Sequence, residues 1–88
     1  MKEITATIIS QSGTCYCNHE IGDKFVIGER TPDGMCAWAY YTIFPYAQTL
    51  KFGGAFPWEK DSTKAVLVCP DAQNPVVFEL TAGATEQY

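Results

Sequence analysis

Two cysteines and the single histidine, Cys15, Cys17 and His19, fall within five residues, and two further cysteines, Cys36 and Cys69, stand far along the chain. Thiol sulfur and neutral imidazole nitrogen are the donors that zinc and iron prefer, so these residues form a candidate metal set. The same sulfurs, once deprotonated, are nucleophiles and redox groups. A third reading is inert: cysteine is among the most buried residue types and needs no chemistry to explain it.

Composition narrows what surrounds the site. The chain has 88 residues, enough for one domain and close to the size at which a metal or crosslink contributes usefully to stability. An apolar fraction of 47% with 14% aromatics excludes a disordered chain. Six basic against ten acidic side chains, net −4, leave no basic patch for a phosphate backbone, which argues against a nucleic-acid partner. No apolar run approaches the roughly 20 residues that cross a bilayer, and Met-Lys-Glu-Ile-Thr at the start does not form the apolar core of a signal peptide. No membrane is expected, and a cytoplasmic location is the default. Reducing conditions there would leave four thiols; a secreted chain would instead favour two disulfides.

The elements that must position these groups follow from hydrophobic patterning. Residues 3–10 are β-branched and alternate, which predicts a strand with Ile4, Ala6 and Ile8 on its inward face. Residues 11–23 carry Gly13, Asn18 and Gly22, so Cys15, Cys17 and His19 belong to a loop between strands. A short second strand over residues 24–27 places Phe25 and Ile27 together. Thr31-Pro32-Asp33 reads as an N-cap, first helical residue and dipole-matched carboxylate, predicting a helix from there with Cys36, Ala39, Tyr40 and Ile43 on one face. Pro45 predicts a break, with a second short helix to about Leu50 ended by Gly53 and Gly54.

Residues 55–63 read as an exposed connection anchored by Phe56 and Trp58, followed by a buried strand over 65–69 that stops at Pro70. Residues 71–74 form a turn into a fourth strand over 75–80, and residues 81–88 read as a frayed tail. The order β-β-α-β-β predicts a single α+β domain over residues 1–80, a mostly antiparallel four-stranded sheet with one Pro-broken helix on a face.

The string Cys15, His19, Gly22-Asp23, Phe25, Thr31-Pro32-Asp33-Gly34-Met35-Cys36, Trp38-Ala39, Pro45-Tyr46, Phe52-Gly53-Gly54, Phe56-Pro57-Trp58, Cys69-Pro70-Asp71 and Asn74-Pro75-Val76-Val77-Phe78-Glu79 resembles a family of small uncharacterised prokaryotic proteins of similar length. The resemblance covers nearly the whole chain. It implies Cys15, His19, Cys36 and Cys69 as a shared set, with Cys17 an addition and Asn18 standing where glycine is usual. It implies no activity.

Three elements supplying four donors would stitch a fold around one ion. Cys15, His19, Cys36 and Cys69, with Cys17 as a substitute, would make a Cys3His site for zinc, or for iron or an iron–sulfur cluster. The role would be structural or redox. No Cys-x-x-Cys knuckle accompanies the set. In the thiol reading, Cys36 near a helix start becomes reactive, His19 serves as base, and Cys15 or Cys17 resolves the product. Asp23 and Asp71 are the nearby carboxylates, and Asp71 suits a turn cap better than a partner for His19. Trp38, Tyr40, Tyr41, Phe44, Tyr46, Phe52, Phe56 and Trp58 exceed what one helix face can hide, predicting a homodimer or a larger protein partner. In that third reading the chain is an interaction module with inert buried cysteines.

Overall fold

The alternation read in the first residues is realised as a ten-residue strand. In a computed structural model that describes residues 2–13, 19–28 and 30–85, the elements are β1 (Lys2–Gln11), β2 (Lys24–Ile27), α1 (Ala37–Lys51), β3 (Lys64–Val68) and β4 (Val76–Thr85). The strands form one antiparallel sheet in the order β2-β1-β4-β3, so the long first and last strands are central and the short ones lie at the edges. This is the expected α+β architecture.

One face of the sheet carries the core. Ile4, Ala6 and Ile8 of β1, Ile27 of β2, Ala65 of β3 and Val76, Phe78 and Leu80 of β4 are buried against Ala39, Ile43, Ala47 and Leu50 of α1. These helical positions are spaced by four, four and three residues, the interval that keeps side chains on one stripe. Removing a side chain such as Phe78 or Leu80 from water contributes about 1.5–3 kcal/mol each. The opposite face of the sheet presents Val26, Val66 and Val68, all exposed.

Three expectations are corrected. The helix begins at Ala37, not near Pro32, because Gly34 adopts φ +78° and the 32–35 segment closes a turn through the Met35 N–H and the Pro32 carbonyl. Pro45 does not break α1, which runs on to Lys51. Proline removes the hydrogen bond to the carbonyl four residues back, here that of Tyr41. Both residues are exposed, so the unpaired carbonyl faces the solvent side of the helix and not the core. Finally, residues 81–85 of the supposed tail continue β4: Thr81 pairs with Thr5 and Lys64, Ala82 with Ile4, and Thr85 with Lys2, while residues 86–88 lie outside the described residues.

The aromatics divide. Tyr40, Phe44, Tyr46 and Phe56 pack against the core, whereas Trp38, Tyr41, Phe52 and Trp58 stand in solvent. Among the described residues no helix is long and apolar enough to cross a membrane.

Candidate functional site

In this sheet the C-terminal ends of β1 and β3 and the N-terminal ends of β2 and β4 share one end. His19, Cys36 and Cys69 all belong to it. His19 lies in the loop that returns from β1 to β2, a loop tied back to the strand by the Gly22 N–H to the Ile8 carbonyl at 2.8 Å and the Ile8 N–H to the Asp23 carbonyl at 2.9 Å. The Asp23 carboxylate accepts the Glu20 N–H at 3.0 Å, so this carboxylate holds the turn.

So anchored, the imidazole is 4% exposed and meets Phe25 and Phe78 edge to face, with centroids 5.3 and 6.4 Å away. Its Nε2 accepts the backbone N–H of Cys36 at 3.0 Å. Cys36 is the N-cap residue of α1, and the first backbone N–H groups of a helix have no partner within it. His19 supplies one from 17 residues away. A neutral imidazole has one acceptor nitrogen, so its proton sits on Nδ1. Nε2 can neither take a proton from a thiol nor bind a metal without giving up the helix start.

Cys69 follows the last residue of β3. Its N–H donates to the Val76 carbonyl at 3.0 Å, and the Val76 N–H donates to the Cys69 sulfur at 3.3 Å. The thiol in turn reaches the Asn74 carbonyl at 3.9 Å. The connecting turn is held by Asp71, whose carboxylate accepts from the N–H groups of Gln73 and Asn74 and from the Asn74 carboxamide. Asp71 is thus a turn cap, as its place in the sequence favoured.

Against this turn sits Gly13, with φ +73°; a Cβ there would lie 2.3 Å from the Asn74 Oδ1. The flanks of residues 14–18 are therefore fixed: Gly13 on Asn74, and His19 on the start of α1. Cys15 and Cys17 themselves lie outside the described residues. Both Cys36 and Cys69 carry thiols and are half-buried against the core. Among the described residues, no three His, Cys, Asp or Glu side chains group as a set able to hold a metal ion.

Sequence reading missed one polar residue of this end. Alternation from Ile4, Ala6 and Ile8 turns Gln11 outward. A bulge between Ile8 and Ser10 shifts the register by one, pairing Ser10 with Val77 and Gln11 with Val76. Gln11 thereby joins the face of Val76, and its Oε1 is buried without a hydrogen-bond partner. Only the bulge, invisible in a single sequence, could have revealed it.

The arrangement defines a class no narrower than a two-layer α+β domain with thiols and a structural imidazole at one end of its sheet. No protein-family model matches the chain, and neither does any curated protein or solved structure.

Proposed function

We propose that the protein acts through thiol chemistry at this end of the sheet, with Cys36 as the reacting sulfur in a redox or covalent step. The observation that carries the reading is the His19 to Cys36 hydrogen bond, which pins Cys36 as N-cap of a 15-residue helix. The N-terminus of a helix carries a partial positive charge and favours an anionic sulfur placed there. His19 is then a positioning residue that fixes where the helix starts, not the base. Alkylation of native protein by iodoacetamide at pH 7, followed residue by residue by peptide mass mapping, tests this. Cys36 should react several-fold to about thirtyfold faster than Cys69, the range that up to ~2 kcal/mol of dipole stabilisation allows. A Cys36 that reacts no faster than Cys69, or only in urea, overturns it.

A second reading has its own support. The Val76 N–H on the Cys69 sulfur is the kind of outer contact that steadies sulfur ligands. Cys36 and Cys69, completed by Cys15 or Cys17, would hold zinc, or iron or an iron–sulfur cluster, through sulfur without His19. Elemental analysis of untagged protein purified without oxygen decides it: stoichiometric metal that chelation removes supports this reading, and metal-free protein with reactive thiols excludes it.

A further inference from the structure

β3 is an edge strand, so half of its backbone hydrogen-bonding groups face away from the sheet. The Ala82 N–H to the Thr63 carbonyl at 2.7 Å and the Cys69 N–H to the Val76 carbonyl at 3.0 Å set which half. In this register Ala65 and Leu67 bond to β4, and the N–H and C=O groups of Lys64, Val66 and Val68 point outward. The side chains of Val66 and Val68 stand on the open face, 43% and 47% exposed. An apolar edge of this kind pairs with other strands unless something closes it.

The connection before β3 closes it. Phe56 lies between Tyr46 of α1 and Trp58, with ring centroids 5.3 and 5.0 Å away, and its carbonyl accepts the Glu59 N–H at 3.1 Å. Beyond Glu59, the Asp61 carbonyl takes the Lys64 N–H at 3.1 Å, and the Asp61 carboxylate holds the Thr63 N–H and hydroxyl. Held from both sides, Glu59 accepts the Val66 N–H on its Oε2 at 3.1 Å, across seven residues. Two of the three outward N–H groups of the strand are thereby taken by the chain itself, and the third is that of Val68.

The occupant that fits this edge is a second copy of it. Paired antiparallel about a two-fold axis at Leu67, Val66 of one copy lies opposite Val68 of the other on both sides of the axis. Four backbone hydrogen bonds then close the pair, two of them donated by the Val66 N–H groups. Four valines come together on the open face, and no like charges oppose, because Lys64 falls opposite Pro70. A contact this short is well below the ~800 Å² per partner of a standard interface, so single hydrogen bonds decide whether it forms.

We propose that β3 is a self-pairing edge which Glu59 keeps closed, its carboxylate occupying the N–H that a second copy of β3 needs. Pairing about Leu67 must break one Glu59 bond in each copy. At about tenfold per bond, the factor for ~1.4 kcal/mol, Glu59 lowers the pairing constant about a hundredfold. Neither Cys36 nor its chemistry enters this contact.

Sedimentation velocity over a concentration series, with Glu59→Ala beside wild type, tests it. Glu59→Ala should associate with a constant about a hundredfold above wild type, and Glu59→Gln, whose carboxamide oxygen still accepts the N–H, should stay near wild type. In the alanine variant the Val66 and Val68 amides should gain protection from hydrogen exchange as concentration rises. Val68→Pro, which removes an outward N–H and no bond within the sheet, should return the alanine variant to wild-type behaviour. A Glu59→Ala variant that sediments like wild type at every concentration, or that associates with Val66 and Val68 still unprotected, overturns the proposal. Wild type alone gives a check that needs no variant to fold: at low concentration its Val66 amide should exchange more slowly than its Val68 amide. Equal exchange of the two overturns the proposal as well.

Discussion

Replacing His19 by leucine separates a histidine that holds the fold from one that holds a metal. Leucine keeps apolar bulk between Phe25 and Phe78 but offers Cys36 no acceptor. An N–H left without a partner in a part-buried position costs about 1–3 kcal/mol, and two lost edge-to-face contacts about 0.5–1.5 kcal/mol each. Leucine's own burial offsets part of this, so a net loss of ~2–4 kcal/mol is expected. A chain of 88 residues has about 4–13 kcal/mol in total, so the loss is large. With a urea slope near 1–1.5 kcal/mol per molar, the unfolding midpoint should fall by more than about 1 M. Hydrogen exchange gives the local readout: the Cys36 amide should lose its protection in the variant. Both effects should be the same with and without a chelator. A variant within about 0.5 kcal/mol of wild type with Cys36 still protected refutes the helix-start account. A loss that appears only in metal-loaded protein refutes it in favour of ligation.

Gly13→Ala should destabilise by ~2 kcal/mol or more, since it meets both a left-handed φ and the Asn74 side chain, whereas Gly22→Ala, at φ +97° with nothing within 4 Å, should lose only the ~1 kcal/mol of backbone strain; comparable losses by thermal unfolding would discount the Gly13 contact. Asp61 accepts from the Thr63 hydroxyl at 2.6 Å and the Thr63 N–H at 2.9 Å, and these bonds lower its carboxyl below the usual range. With the folded value below the unfolded one, its contribution is present above the ordinary carboxylate range and is lost as pH falls through the folded value; Asp61→Asn should flatten acid unfolding in that window, and an unchanged profile would show the bonds do not matter.

What the sequence disclosed follows physical lines. Strand patterning is local, so β1 and β2 were legible to within a residue at each end. Helix start signals are also local, yet they misled: Thr31-Pro32-Asp33 has the residues of an N-terminus, and the left-handed turn at Gly34 prevents propagation. The true cap, an imidazole from another loop, leaves no mark near Cys36. Gln11 was hidden for the complementary reason, because parity along a strand holds only until a bulge. Cys36 and Cys69 were legible as candidates because residue type alone made them so.

The late start of α1 is itself explained by the sheet. β2 begins at the end where His19 sits and runs away from it, so the chain must return before Cys36 can meet His19. The return along four strand residues covers about 13 Å. If the helix began at Pro32, only residues 28–31 would be available, and fully extended they span about 13–14 Å, leaving nothing for the change from the sheet layer to the helix layer. Beginning at Ala37 gives residues 28–36, more than twice that reach. The contact between His19 and Cys36 and the position of the helix N-terminus are therefore one constraint. A deletion of two or three residues within 29–34 should weaken that contact, read as lost exchange protection at the Cys36 amide, before it disturbs the strand pairing of β1 with β4. Loss of β1 and β4 protection at the same denaturant concentration would show instead that the two are a single cooperative unit.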